Sequence, residues 1–178
     1  TNGTMSGHSK WKQIKHKKEI TDKKRSQSFS KLLKAIRVVS RGNPNPEFNS
    51  RLRSAIDKAK EFQVPQDNIR RAVEQIGEKD LEEVTIEACG PSGSALIIEA
   101  VTDNTNRTIN EIKNILKNMG AKFAEPGSVR WSFELTTGET GWAPKFKQEL
   151  NETDLEKLNE LIEALEEHDD VQEIFTNA

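Results

Sequence analysis

The sequence predicts an α+β protein, in which a helical first domain is followed by a β-β-α-β-α-β sheet domain with two helices. Apolar residues recur at the spacing of an α-helix up to Gly77, and beyond it they alternate with polar residues as in strands. Helical spacing then returns twice, each time between strand patterns. We therefore place a basic helical domain at residues 5–77 and a sheet domain at residues 78–178.

Three helical patterns make up the first domain. Apolar positions at residues 29–39 form one face of a basic amphipathic helix, which ends at the glycine- and proline-rich run 42–46. A second pattern covers residues 48–62 and a third covers residues 69–76, where Gly77 provides the C-terminal stop. Three short helices with one apolar face each indicate a small bundle.

The sheet domain begins with a hairpin pattern. Alternating residues at 84–88 and the apolar run 95–101 indicate two strands, and the Gly-Pro-Ser-Gly run at 90–93 indicates the turn between them. A phosphate loop is the alternative for this run. It is disfavoured because the lysine of such loops is missing and a strand follows instead of a helix.

A helix and a further strand follow the hairpin. Thr108 and Glu111 have the spacing of a capping box at a helix start, and Gly120 closes the helix. Residues 129–135 then alternate as in a strand with one buried face. We therefore expect Trp131 to lie in the core.

The chain ends with a helix and a strand. Thr153 and Glu156 form a second capping-box pattern, and residues 171–175 form the last strand pattern. Between them, Asp169-Asp170 could hold a divalent ion. We interpret the pair as a turn, because adjacent carboxylates point in different directions.

Charge is distributed unevenly along the chain, whose formal net charge is −2. Residues 1–41 contain twelve Lys or Arg against two acidic residues, whereas residues 149–178 contain eleven acidic residues against Lys157 alone. One end of the chain is therefore expected to attract phosphate groups and the other to repel them. We interpret the second charge block as the polar outer face of an amphipathic helix. The alternatives are competition with nucleic acid for the basic end, docking of a basic partner, and head-to-tail pairing of protomers.

The N-terminal basic segment favours nucleic-acid binding. It combines lysines that can contact phosphates with Trp11, which can stack on a base, and with His8 and His16, which can donate hydrogen bonds. A solvated surface is the alternative for such a charge run. The residues expected to bind nucleic acid, here and on the three helices, are His8, Ser9, Lys10, Trp11, Lys12, Lys15, His16, Lys17, Lys18, Lys23, Lys24, Arg25, Lys31, Arg51, Arg53, Lys58, Arg70 and Arg71.

A polar loop before the helix at Thr108 is a secondary candidate site. It comprises Asp103, Asn104, Asn106, Arg107 and Thr108. Its arginine stands next to a helix N-terminus, where anions are favoured. Capping and turn formation are the alternative explanation.

Enzymatic and metal-binding classes are disfavoured. His8 and His16 lack a third ligand at a convincing spacing, and Cys89 is the only cysteine. Ser9 lies beside His8 without an orienting acid. We therefore expect no enzyme activity, no cofactor and no metal.

The composition indicates a soluble protein of the cytoplasm, with a mean hydropathy of −0.77. No apolar run reaches the roughly 20 residues that span a bilayer, and no hydrophobic segment follows the basic N-terminus as in a secretory signal. Residues 1–4 precede Met5 and are interpreted as an expression remnant.

Several blocks together resemble one family. Met-Ser-Gly-His-Ser-Lys-Trp at 5–11, followed by Ile-Lys-His-Lys-Lys at 14–18, resembles the opening signature of the YebC/PmpR family, long labelled transcriptional regulators and including the mitochondrial translational activator of cytochrome c oxidase subunit I. Further blocks that resemble the family lie at 29–32, 49–53, 56–60, 64–72, 90–93, 102–104, 106–108 and 127–129. The chain is identified as a member on this basis.

The resemblance implies a helical first domain, an α/β second domain and a third α/β domain inserted within the second. Here the family-like ending begins at Leu155, and only a short linker at about 136–149 stands where the insert is expected. We therefore expect a short member that lacks the third domain.

The resemblance also implies an activity. Family members associate with the ribosome and help translation through proline-rich sequences, and promoter binding is the older description. We expect a non-enzymatic, RNA-binding, ribosome-associated translation factor. The alternative is a DNA-binding transcriptional regulator, with the basic helix at 29–41 as its contact. A third hypothesis is a protein adaptor that uses the acidic helix. An organelle homologue would reside in the mitochondrial matrix.

Overall fold

The computed structural model describes residues 22–75, 80–136 and 141–178. The candidate binding residues from His8 to Lys18 lie outside this range. The chain divides into two compact units. The helical unit runs to Glu83 and includes Val101–Asn104, whereas the sheet unit comprises Val84–Ala100 and Thr105–Ala178.

The helical unit confirms the three helical patterns. Its helices are α1 (Asp22–Ser40), α2 (Ser50–Glu61) and α3 (Gln66–Glu74). Asn49 caps α2, because its side chain accepts a 3.0 Å hydrogen bond from the backbone N–H of Leu52. Pro65, whose fixed φ suits a helix entrance, immediately precedes α3.

One apolar stripe from each helix forms the core of this unit, and α1 contacts both other helices. The buried residues are Leu32, Ile36, Leu52, Ala59, Val64, Ile69 and Ala72. Complete burial of a leucine or isoleucine side chain contributes about 1.5–3 kcal/mol relative to exposure. The bundle is therefore held together mainly by this stripe packing.

The sheet unit confirms the α+β class. From Glu82 onward the elements in chain order are β1 (Glu82–Cys89), β2 (Ala95–Thr102), α4 (Thr105–Asn118), β3 (Lys122–Ala124), β4 (Phe133–Leu135), β5 (Trp142–Pro144), α5 (Glu152–Glu166) and β6 (Val171–Thr176). Four strands form one sheet in the order β3-β1-β2-β6, with β1 antiparallel to β3 and β2 antiparallel to β6. A second sheet consists of β4 and β5.

Both faces of β2 are buried, which explains its continuous apolar sequence. Leu96 and Ile98 lie in a core with residues of α4 and α5, such as Ile112 and Leu161. The alternate side chains pack in a different core, where Ile97 lies with Val129, Phe133 and Phe175. The sheet is therefore a middle layer between the helices and the segment that carries β4.

The hairpin turn and the chain reversal after α4 agree with the sequence. The backbone N–H of Gly90 donates to the carbonyl of Ser94 at 2.8 Å, which closes the turn between β1 and β2. Gly120 adopts a φ of +74° just after α4, a conformation that a Cβ would disfavour.

The strand predicted at 129–135 is wrong over its first half. Arg130–Ser132 forms a 3₁₀ turn, and Trp131 is 64% exposed instead of lying in the core. The cause is the carboxylate of Glu87, which accepts hydrogen bonds from the backbone of Val129 at 3.1 Å and of Arg130 at 2.7 Å. The prediction also missed β3, which occupies the sheet position next to β1.

Both predicted capping boxes are wrong. The helix α4 begins at Thr105, and the buried hydroxyl of Thr108 donates to Asp170. The N-cap of α5 is Asn151, which accepts a 2.8 Å hydrogen bond from the backbone of Asp154, whereas Thr153 lies inside the helix. The capping-box spacing therefore identified the region where each helix begins. The residues that it picked, Thr108 and Thr153, lie inside the first turns of the helices and do not cap them.

The linker expected at 136–149 contains secondary structure, since β5 lies within it and pairs with β4. No helix in the described ranges is long and apolar enough to span a membrane.

Candidate nucleic-acid interface

The helical unit has an excess of positive charge. Between residues 22 and 75 there are thirteen Lys or Arg and six Asp or Glu. The apolar stripes of the three helices face the core, so the charged side chains lie at the surface. An excess of surface cations attracts a polyanion.

The exposed cations of α1 lie at its N-terminal end. Lys23, Lys24 and Arg25 are exposed, whereas Lys31 is half-buried and no residue from 31 to 40 is exposed. A helix that reads a DNA groove needs an exposed face. The first turns of α1 therefore hold its most exposed cations, and nucleic-acid contact by the 29–41 stretch, where Lys31, Lys34 and Arg37 are half-buried, stays a prediction.

The cations of α2 lie on two opposite sides of the helix. Residues seven positions apart return to nearly the same side, so Arg53 and Lys60 share one side while Arg51 and Lys58 share the other. Arg51 also pairs with Glu83, with Nη1 3.3 Å from Oε2. The structure therefore separates Arg53 from Arg51 and Lys58, which the sequence grouped together.

Arg53 and Lys60 line a surface groove of about 290 Å³. Pro46, Glu47, Ile56 and Asp57 complete its walls. Neither cation forms an ion pair with a described residue. This side of α2 therefore offers two cations that a phosphate can approach without first breaking an ion pair.

The two arginines of α3 differ in their surroundings. Arg70 lies 3.7 Å from Asp67 and 3.9 Å from Glu74, and all three side chains are largely exposed. Such exposed pairs contribute only about 0–1 kcal/mol. Arg71 is exposed and makes no ion pair within the described ranges, so it is the more available of the two.

Sequence reasoning missed the role of Arg41. Its Nη2 lies 2.7 Å from Oδ1 of Asp80, and its Nη1 donates to the carbonyl of Leu81 at 2.6 Å. These bonds attach the end of α1 to the segment that enters β1. The partners are 39 and 40 residues away, so no local pattern could have indicated them.

Two residues of the polar loop, Arg107 and Thr108, bind one carboxylate of the sheet unit. Asp103, Asn104 and Asn106 are exposed. Arg107 donates to Asp170 at 3.1 Å, and Thr108 donates to the same carboxylate oxygen at 2.7 Å. Arg107 and Thr108 therefore stabilise the sheet unit, while binding by the loop stays a prediction.

One group of potential metal ligands occurs in the described chain. Ligand atoms of Glu111, His168 and Asp170 lie within 4.8 Å of one another. Nδ1 of His168 accepts a 3.1 Å hydrogen bond from the backbone of Asp170, which assigns the proton to Nε2, 2.6 Å from Glu111. Both ring nitrogens are thus engaged, and we interpret the group as a hydrogen-bond network.

Comparison with family models gives matches along nearly all of the chain. The model of the TACO1/YebC protein N-terminal domain matches residues 9–79. The model of the TACO1/YebC second and third domain matches in two pieces, at residues 81–137 and 134–178. The two pieces of the second match overlap at residues 134–137, at the end of β4.

Curated relatives and a solved structure agree with these matches. A probable transcriptional regulatory protein of Thermoanaerobacter pseudethanolicus is 35% identical over 237 residues, covering 97% of this chain and 96% of the relative. Another of Petrotoga mobilis is 42% identical over 180 residues, covering 97% of this chain and 70% of the relative. The crystal structure of a conserved hypothetical protein from Aquifex aeolicus has a TM-score of 0.82 at 30% identity, covering 94% and 96% of the two chains.

Proposed function

Because the chain belongs to the TACO1/YebC family and its helical unit carries excess positive charge, we propose that it is a non-enzymatic regulatory protein that binds nucleic acid through this unit. The observation that carries the proposal is that several cations of the helical unit are not neutralised by an ion pair within the described part of the chain. The exposed cations of the helical unit that make no ion pair with any described residue are Lys23, Arg25, Arg53, Lys60 and Arg71.

Such cations favour binding to phosphate backbones. Each phosphate that a lysine or arginine neutralises releases condensed counterions, so affinity decreases with salt. The basic segment from His8 to Lys18 would add phosphate contacts and a stacking residue to the same ligand. Binding through phosphates carries no sequence information by itself, so a regulatory role requires further contacts to bases or to a partner.

Duplex DNA is the target that the relatives favour, since those of Thermoanaerobacter and Petrotoga are named probable transcriptional regulatory proteins. Regulation of transcription is accordingly our first candidate. Ribosomal RNA is the second candidate. Ribosomal RNA is favoured by the exposed rings of Trp131 and Phe146 in the sheet unit, because unpaired bases of RNA stack on such rings. Lys145 and Lys147 flank Phe146 in the sequence.

We also propose that the third domain of longer relatives is reduced in this chain to the segment at about 136–149. The alignment with the Thermoanaerobacter relative is 237 residues long, so at least 59 of its positions have no counterpart among the 178 residues here. The division of the family match supports an insertion point near residues 134–137, at the end of β4.

A matched pair of double variants on α2 tests the proposal. R53Q/K60Q removes the two cations of the groove, whereas R51Q/K58Q removes the same charge from the opposite side. We expect R53Q/K60Q to weaken binding of a labelled DNA duplex and to lower the slope of log affinity against log salt by up to about 1.8. R51Q/K58Q should have the smaller effect. Equal slopes for wild type and both variants, measured by fluorescence anisotropy, would contradict the proposal.

The two targets are separated by a second measurement. Sequence-specific retention of promoter duplexes at physiological salt would support regulation of transcription. Salt-sensitive co-sedimentation with ribosomes, without preference among duplexes, would support the ribosomal candidate instead. Turnover of either nucleic acid by the purified protein would contradict the non-enzymatic assignment.

A further inference from the structure

Two large aromatic side chains lie side by side on the surface of the sheet unit. Trp131 is 64% exposed and Phe146 is 60% exposed. Their ring centroids are 5.9 Å apart, with 51° between the ring planes. Two exposed rings in contact with each other form one continuous apolar surface, which a ligand with a flat apolar face can cover.

The backbone beneath the two rings is fixed by hydrogen bonds. The backbone N–H of Lys145 donates to the carbonyl of Ser132 at 2.8 Å, which extends the pairing of β4 with β5 toward both rings. Glu87 accepts from the backbone of Arg130, immediately before Trp131. The rings are therefore mounted on an ordered support rather than on a loop end.

The side chains of Trp131 and Phe146 offer a ligand only the faces of their rings. The indole N–H of Trp131 donates to the carbonyl of Ser128 at 2.8 Å, and this bond uses the one polar group of the side chain. Phe146 has no polar group. A ligand of this surface must therefore be recognised by its flat apolar faces, as unpaired bases are.

The charged residues of the two segments that hold the rings are all positive. The segments 130–132 and 145–147, which hold the two rings, contain Arg130, Lys145 and Lys147 and no acidic residue. All three side chains are exposed. Neither lysine makes an ion pair with a described residue. Aromatic faces with adjacent free cations match the alternation of bases and phosphates in a single strand.

We propose that Trp131 and Phe146 form a stacking platform for unpaired bases of a single-stranded nucleic acid, with Lys145 and Lys147 contacting its phosphates. The platform lies in the sheet unit and is separate from the cations of the helical unit. It rests on the proposed function only in that the ligand is a nucleic acid. Stacking tolerates any base, so the platform contributes affinity for unpaired strands and not sequence recognition.

Anisotropy titrations of the full chain test this proposal with three labelled probes of equal length: oligo(U), oligo(dT) and a DNA duplex. Trp131→Ala should weaken binding of single strands by about fivefold to a hundredfold, the range that stacking of one base provides. Binding of the duplex should stay unchanged. Trp131→Phe should keep most of the affinity, because a phenyl ring also stacks.

Leu135→Ala is the matched control, since Leu135 is 66% exposed and apolar but has no aromatic face. It should leave all three affinities unchanged. Preference of the wild type for oligo(U) over oligo(dT) would identify RNA as the source of the strand, and equal binding would identify any single strand.

Other outcomes overturn the platform. Unchanged single-strand binding in Trp131→Ala, with duplex binding intact, would refute the platform while leaving the proposed function standing. The same follows if Trp131→Ala converts a dimer to a monomer in sedimentation, because the rings would then bind a second copy. Failure of the wild type to bind any probe would instead refute the proposed function.

Discussion

The hydroxyl of Thr108 donates a 2.7 Å hydrogen bond to Oδ2 of Asp170, and both residues are buried. Thr108 lies on α4, and Asp170 lies immediately before β6, 62 residues later. The same oxygen receives the guanidinium of Arg107 at 3.1 Å. A buried carboxylate is thus paired and hydrogen-bonded, and it joins α4 to the start of the last strand.

Thr108→Val should destabilise the protein by about 1–3 kcal/mol, because it keeps the shape of the side chain and removes one donor from the buried carboxylate. Thr108→Ser keeps the hydroxyl and should cost less. Urea unfolding monitored by circular dichroism measures both. Equal stability of the Val and Ser variants would show that the hydrogen bond contributes nothing.

Glu87→Gln should also destabilise the protein by about 1–3 kcal/mol. The carboxylate of Glu87 accepts from the backbone of Gly127, Val129 and Arg130. An amide presents an NH₂ group to at least one of these donors. Glu125→Gln changes an exposed carboxylate and should be neutral within about 0.5 kcal/mol.

The same variant should change the surface at Trp131, since Glu87 holds the turn before this residue. We expect faster amide hydrogen exchange at residues 127–132 in Glu87→Gln than in wild type. Identical exchange in the two proteins would argue that packing alone maintains the turn.

Asn151→Ala should destabilise α5 by about 0.5–2 kcal/mol, because Asn151 caps the helix. Thr153→Ala is the informative comparison, as the sequence pattern assigned the cap to that residue. Thr153→Ala should lower the free energy of unfolding by less than Asn151→Ala does, as measured by thermal or urea unfolding. A larger loss of stability in Thr153→Ala than in Asn151→Ala would show that Thr153 caps the helix.

Ile36→Ala should cost about 2–5 kcal/mol, since Ile36 is fully buried in the helical bundle and truncation leaves a cavity. Phe48→Ala removes a larger side chain that is 77% exposed, and it should change stability by less than about 0.5 kcal/mol. Unfolding followed by circular dichroism compares the two. A larger loss for Phe48→Ala would place that ring against the bundle in solution.

The sequence predicted most elements because their signals are local. The apolar stripe that contains Leu32 and Ile36 repeats within one helix, and the run containing Ile97 and Ile98 is long enough to indicate a strand buried on both faces. The resemblance to the family was carried by short contiguous stretches of sequence, and the two family models match the parts of the chain that contain them.

The candidate site was less predictable. Charge excess is a property of composition and was visible at once, but whether a cation is already paired depends on residues far away in sequence. Arg41 is bound to the 80–81 segment and Arg51 to Glu83, while Arg53 is not paired with any residue that the structure describes. Nothing in the local sequence around these three arginines distinguishes them.

The sequence by itself determined the class of the fold, the order of its main helices and strands, the charge of the helical unit and the family. Only the tertiary structure decided that Trp131 is exposed, that Thr108 serves Asp170 and that the two sides of α2 differ. The physical reason is the separation along the sequence of the residues that interact. Periodicity and composition act between neighbours along the chain, whereas hydrogen bonds such as Glu87 to Arg130 form only after distant segments have packed together.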